Sequence, residues 1–239
     1  MPLDLTDEGT GKTVSTASGE IYFNEAGTGH PLLMLHGSGP GATGWSNFGG
    51  SMKVLAEQFR CIAPDMPGWG RSSAVTHEKR NHVEAALQLL DALGIEKAAF
   101  IGNSMGGATS IKFAAVHHDR TSHLITMGAG GPGPRYFLPG DGPSEGLKLL
   151  QNGYLDPSPE GMRKMVDIFT YDKAFATDEL VQQRSAVARS RQDHLDNFIA
   201  GMSAGRRGRA SVEEVMGITA PSLLIHGRDD RVVHYENTL

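Results

Sequence analysis

Five short apolar runs recur along the chain, each closed by glycine or a polar turn residue. Pro31 to Leu35 ends at His36-Gly37, Cys61 to Ala63 at Pro64-Asp65, Ala98 to Ile101 at Gly102, Leu124 to Met127 at Gly128, and Pro221 to Ile225 at His226-Gly227. Short runs without polar alternation predict strands buried on both faces, as in a parallel sheet. Gly19 to Ala26 alternates instead and meets Gly27-Thr28-Gly29, which predicts an edge strand and a turn. Between the runs the spacing turns helical. Met52, Leu55, Ala56 and Phe59 share a face within Phe48 to Phe59. Ala86, Leu87, Leu90 and Leu93 do so within Val83 to Leu93, where Gly94 supplies the stop. Ala108 to Val116 follows the third run directly. Strand and helix in alternation predict an α/β fold with right-handed crossovers.

The alternation breaks at residues 131–140, a Pro/Gly-rich stretch that reads as a hinge. Helical patterns then occupy Gly146–Gln151, Pro159–Phe169, Asp178–Arg189 and Asp193–Met202, and the sheet pattern resumes at Pro221. Residues 131–212 are therefore expected to be a helical insertion laid across the strand ends. Residues 1–130 and 213–239 would form the α/β core.

Composition narrows the function classes. A net charge of -5 gives no support for nucleic-acid binding or for adhesion to an anionic membrane. No apolar run approaches the ~20 residues that span a bilayer, and the polar start of the chain lacks a signal-peptide pattern. A single cysteine, Cys61, rules out a disulfide framework within the chain and fits a reducing cytoplasm. Glycine, at 31 of 239 residues without a repeat, predicts many tight turns between short elements.

Three of those turns carry candidate chemistry. Gly102-Asn103-Ser104-Met105-Gly106 follows the apolar AAFI and precedes a small-residue helix. The pattern G-x-S-x-G in that setting places a serine hydroxyl on a strained strand-to-helix turn, where helix dipole and free N–H groups favour developing negative charge. A glycine-rich turn with an ordinary serine is the alternative. His36-Gly37-Ser38-Gly39-Pro40-Gly41 follows the first run; in this setting such a loop donates one oxyanion N–H, the other coming from Met105. Asp229 and Asp230 follow the last run, where the acid of a Ser-Asp-His order belongs.

Taken together with Asp65-Met66-Pro67-Gly68-Trp69-Gly70, these motifs resemble the α/β-hydrolase superfamily. HGSGPGATGWSNF, GNSMGG, YDKAFATDELVQQR and GRDDRVV resemble more narrowly the meta-cleavage-product hydrolases, which cut a carbon–carbon bond in ring-opened catechols. The resemblance runs from about Ile21 to Val233. It implies a mostly parallel sheet with helices on both faces and an inserted helical lid. Ser104 would be the nucleophile and Asp230, in preference to Asp229, the triad acid. Ser38 and Met105 would form the oxyanion hole. Asn47 and Asn103 would line the polar half of the site, and Arg184 would grip the substrate carboxylate. The substrate would be a small-molecule 2-hydroxy-6-oxo-dienoate. No metal or organic cofactor is implied, and a homodimer or higher homo-oligomer is.

The same resemblance puts the catalytic histidine roughly 25–30 residues beyond Asp230, after one more strand, whereas the sequence given ends at Leu239. A last strand and helix are accordingly expected to be missing, with the run PSLLI left at a sheet edge, apolar and unpaired on one side. Of the ten histidines present, His36 and His226 read as structural, and His234 stands too close to Asp230 to be oriented by it. Two other functions stay open at this level: a carboxylesterase-like hydrolase of the same fold, and a non-catalytic ligand-binding relative.

Overall fold

The computed structural model describes residues 3–133, 136–137, 142–202 and 208–239. The elements run in chain order: α1 (Asp7–Thr10), β1 (Gly11–Thr16), β2 (Gly19–Ala26), β3 (His30–Leu35), α2 (Gly44–Leu55), β4 (Phe59–Pro64), α3 (His82–Ala92), β5 (Ala98–Asn103), α4 (Met105–Val116) and β6 (Thr121–Met127). Then come α5 (Glu145–Leu155), α6 (Pro159–Phe169), α7 (Asp178–Arg189), α8 (Gln192–Gly201), α9 (Val212–Met216) and β7 (Ser222–Ile225).

The strands form one sheet in the order β1-β2-β4-β3-β5-β6-β7. The β1/β2 and β2/β4 pairs are antiparallel, and every pair from β4 to β7 is parallel. Apolar residues fill both faces of β3 because both faces are covered. Leu33 and Leu35 join a core with Ala86, Leu90 and Phe113 of α3 and α4, while Leu32 and Met34 join Phe48 and Met52 of α2. This is the alternation of a strand between two helical layers.

Three sequence expectations are corrected. Gly19–Ala26 is no edge strand, because β1 pairs along its whole length, from Gly11↔Asn24 to Thr16↔Gly19. The stretch GKTVST has one large apolar residue and lies half in solvent, so no hydrophobic pattern marks it as a strand. Phe59 does not continue the preceding helix. Helix α2 is closed by the Ala56 N–H on Met52, and Phe59 pairs with His30 as the first residue of β4. Finally, β7 is not buried on both faces: it lies at the sheet edge, and Leu223, Leu224 and Ile225 are 55%, 46% and 47% exposed. The edge position itself agrees with the sequence reading.

The stretch beyond β6 contains no strand among its described residues until β7. The helices α5 to α7 begin where Ser144, Ser158 and Thr177 accept the N–H of Leu147, Gly161 and Leu180, the N-cap geometry that satisfies an orphan donor. Together with α8 they bury a core of their own, built on Leu150, Met162, Met165, Val166, Val181 and Leu195. The hinge reading at residues 131–140 lies partly outside the described residues, at 134–135 and 138–140.

A Cβ at Gly50, exposed within α2, would meet nothing within 4 Å. Gly50→Ala is expected to raise stability by about 0.5–1 kcal/mol through lost unfolded-state entropy, read as a higher urea midpoint at constant slope.

Candidate active site

The turn between β5 and α4 is the strained point of the backbone. Ser104, between them, has φ 51° and ψ -110°, and it is the one non-glycine residue with positive φ among those described. Such a conformation costs of order 1–3 kcal/mol and persists only where the surroundings impose it. Here they do. The Ser104 N–H donates to Met127 O at 2.8 Å and the Gly106 N–H to His36 O at 3.1 Å. A Cβ at Gly102 would stand 2.4 Å from Gly106 O, and one at Gly106 only 1.9 Å from Leu35 O. The glycines of G-x-S-x-G are thus set by backbone contact with β3 and α4.

Beside this turn, the loop after β3 folds back across the strand ends. His36 is fully buried; its Nδ1 donates to Gly37 O at 2.7 Å and its Nε2 accepts the Met66 N–H at 2.8 Å. That tautomer leaves it no free nitrogen for proton transfer. The Gly37 N–H donates to Asn47 Oδ1 at 3.3 Å, and the Asn103 amide donates to the same oxygen at 2.9 Å. Neither the Ser38 N–H nor the Met105 N–H has a hydrogen-bond partner among the described residues. Gly39 and Gly41 lie under α7: a Cβ at Gly39 would stand 3.3 Å from Arg184 Nη1, and one at Gly41 2.5 Å from Arg184 O.

Ser38, Asn47, Asn103, Ser104, Arg184 and Asp230 line one cavity of about 980 Å³ beneath α5 to α7. Met105 is not among its lining residues, although its backbone adjoins Ser104. Burial pushes the Arg184 pKa down, against the effect of Tyr154, and Nη1 is buried with no hydrogen-bond partner among the described residues. A buried donor so placed at the cavity wall is costly while it stays unbonded. Asp230 accepts the N–H groups of Val232 and Val233 on Oδ1, both at 2.9 Å, which fixes the carboxylate and leaves Oδ2 toward Gly128. Asp229 is exposed and pairs with Arg231 at 3.2 Å.

No histidine lines the cavity among the described residues. His226 Nε2 bonds Val233 O at 2.7 Å, its Nδ1 bonds the Thr238 hydroxyl, and it stands 3.4 Å from Asp230 Oδ2. His234 stands 3.4 Å from Glu236. Among the described residues no group of three or more His, Cys, Asp or Glu could hold a metal ion, and no helix is long and apolar enough to cross a membrane. Among the apolar residues between β6 and β7, Phe169 lines the cavity, whereas Phe137, Leu155 and Phe175 are 62%, 60% and 69% exposed. The sequence reading gave no role to Trp69 or Tyr154, which bond each other at 2.8 Å below the loop. Trp69 stood inside the DMPGWG motif, and Tyr154 carried no signal beyond an aromatic at helical spacing.

Burial holds the His36 imidazole down at about 4, against its bond to Gly37. The unfolded chain titrates near ~6.5, so between those values it binds a proton that the native state refuses. His36 therefore contributes stability that is complete above pH ~6.5 and lost as the pH falls toward ~4. Asp65, pushed up to about 6 by burial, acts in the opposite sense over much the same window. A difference measurement separates them. The stability of wild type minus that of His36→Asn is expected to shrink by up to about 3 kcal/mol between pH 7 and pH 4 in urea titrations.

Comparison with known proteins sets this geometry in a family. The model for the alpha/beta hydrolase fold matches residues 30–239. A protein of Paraburkholderia phymatum named 2-hydroxy-6-oxononadienedioate/2-hydroxy-6-oxononatrienedioate hydrolase is 41% identical, over 95% of this chain and 82% of its own length. A Comamonas testosteroni protein named 2-hydroxy-6-oxo-6-phenylhexa-2,4-dienoate hydrolase is 38% identical, over 99% of this chain and 85% of its own. Among solved structures, the meta-cleavage product hydrolase of Pseudomonas fluorescens superposes with a TM-score of 0.83 at 32% identity, over 96% of this chain and 84% of that one. The chain belongs to the α/β-hydrolase fold family and, within it, to the meta-cleavage-product hydrolases.

Proposed function

We propose that Ser104 is the nucleophile of a hydrolase that cleaves the carbon–carbon bond of 2-hydroxy-6-oxo-hexa-2,4-dienoates. One observation carries the reading: a serine on a strained strand-to-helix turn shares its cavity with Arg184, whose Nη1 is buried with no hydrogen-bond partner among the described residues. A carboxylate substrate whose reacting carbonyl lies some distance from its charge fits that pair. An esterase for neutral substrates has no use for the guanidinium.

The chemistry follows from the substrate. The 2-hydroxyl loses its proton and C5 gains one, giving a ketone at C2. Ser104 Oγ would then attack the C6 carbonyl and give its proton to a general base, a role that no histidine lining the cavity fills among the described residues. The new oxyanion would meet the N–H groups of Ser38 and Met105, which have no partner among the described residues. On collapse the C5–C6 bond breaks, and its electron pair is delocalised onto the C2 oxygen as a dienolate that is then protonated. Water hydrolyses the acyl ester and releases the carboxylic acid. Asp230, with Oδ1 held by two backbone amides, would orient the base and stabilise its charged form.

Arg184 would bind the C1 carboxylate through paired N–H groups. Asn103 and Asn47, bonded to each other at 2.9 Å, would present amide groups to the 2-oxygen. Residues 131–212 would serve as the lid. The proposal extends to a homo-oligomer working in the cytoplasm, where buried Cys61 stays reduced. The test is loss of the yellow dienolate absorbance on adding the protein to a nonadienedioate or phenylhexadienoate substrate. No loss with either at high enzyme concentration would sink the reading.

A further inference from the structure

The loop that carries the Ser38 N–H has glycine at 37, 39 and 41, and so little stiffness of its own. Its shape is imposed from outside. His36 Nδ1 holds the Gly37 carbonyl and thereby turns the Gly37–Ser38 peptide so that its N–H faces the other way. The next peptide is held by Tyr154. This residue lies on α5, 3% exposed, and its hydroxyl donates to the Ser38 carbonyl while accepting Trp69 Nε1–H at 2.8 Å. Burial pushes the phenol pKa up, so it stays a neutral donor.

The phenol itself is well fixed. Its ring stacks on Phe198 of α8, with centroids 3.6 Å apart and planes 7° from parallel. Trp69 is fixed in turn by an edge contact to His36 at 6.0 Å. One residue earlier, a Cβ at Gly153 would stand 3.2 Å from Pro40 Cγ, so α5 presses directly on the loop. The resulting path, Trp69 to Tyr154 to Ser38, joins the core, the helices beyond β6 and the loop through one hydroxyl.

We propose that Tyr154 is a positioning residue: its hydroxyl, clamped between Trp69 and the Ser38 carbonyl, sets the loop so that the Ser38 N–H faces the oxygen of the carbonyl that Ser104 attacks. The inference rests on the reading of Ser38 as an oxyanion donor. It makes that donor's aim depend on α5 being seated. Burial of a polar atom alone would need one partner; here both partners are groups of the loop and its support, which is the geometry of a tether.

Tyr154→Phe is the test, because it keeps the ring and its stack on Phe198 and removes only the oxygen. Two readouts are taken. Hydrogen exchange of the backbone amides of residues 37–42 is expected to quicken about tenfold, with residues 145–155 unchanged. Dienoate kcat is expected to fall about 10- to 100-fold, with KM within about twofold, the split produced by losing an interaction made in the transition state. Trp69→Phe, which removes the other half of the clamp, is expected to give a smaller loss with the same split. Unchanged loop exchange in Tyr154→Phe would overturn the proposal. So would a kcat equal to wild type, or a KM that rises as much as kcat falls. Should wild type leave dienoates intact, the reading of the reaction fails, and the exchange measurement still decides whether Tyr154 holds the loop.

Discussion

Ser104→Ala is expected to lower dienoate turnover at least about 10³-fold while the dienolate still binds with an affinity within about twofold of wild type. The asymmetry follows from where the hydroxyl sits. Ser104 occupies a backbone conformation of φ 51° that alanine shares, so the turn and the cavity around it persist. The groups that would hold the ground-state substrate lie elsewhere: Arg184 on α7 and the Asn47–Asn103 pair at the loop. Only the bond-forming atom is removed. Binding is read from the spectral change of the dienolate on mixing, and turnover from its decay. A Ser104→Ala protein that cleaves at the wild-type rate would defeat the nucleophile assignment outright. Ser104→Gly adds a second, independent readout. Glycine tolerates positive φ, so that variant is expected to be more stable than Ser104→Ala by about 1 kcal/mol.

The sequence made the centre of the molecule legible and its edges less so. β3, β4 and β5 stood out because they are buried on both faces and therefore carry unbroken apolar runs. β1 did not, because a half-exposed edge strand such as GKTVST needs only Val14 to contact the core. The helices α6 and α7 were placed to the residue, since a serine or threonine cap marks each start. β7 shows the limit of pattern reading. SLLI is as apolar as a buried strand, yet a sequence records only what a strand can bury and not what stands beside it. At the site, the family resemblance implied Ser104, Ser38, Met105, Asn47, Asn103, Arg184 and Asp230, and the fold brings all of them but Met105 to the lining of one cavity. It could not point to Tyr154. That residue acts across 116 positions of chain through one hydroxyl, and nothing local distinguishes it from any other buried aromatic.

Arg184→Met is expected to weaken dienoate binding about 10²-fold and, in the same protein, to raise the stability of the unliganded fold by about 1 kcal/mol. Both effects come from one fact. Arg184 is half-buried beside the loop at Gly39, its Nη1 buried and unpartnered among the described residues, and burial lowers its pKa. An ion held out of water without a counter-ion costs free energy in the empty protein. A substrate carboxylate would remove that cost and add charge-assisted hydrogen bonds, each worth about 1.5–3 kcal/mol. Methionine fills much the same volume without charge, so the empty protein gains what the liganded one loses. Tm with and without dienoate separates the two: wild type is expected to gain stability on adding ligand, and Arg184→Met to start higher and gain little. Arg184→Lys keeps the charge and loses the planar fork, and its affinity is expected to stay about tenfold below wild type. A Kd for Arg184→Met equal to wild type would show that the carboxylate binds elsewhere. A large fall in Tm would show that Arg184 is a structural residue of the α7–loop contact, with no strain stored for the substrate to relieve.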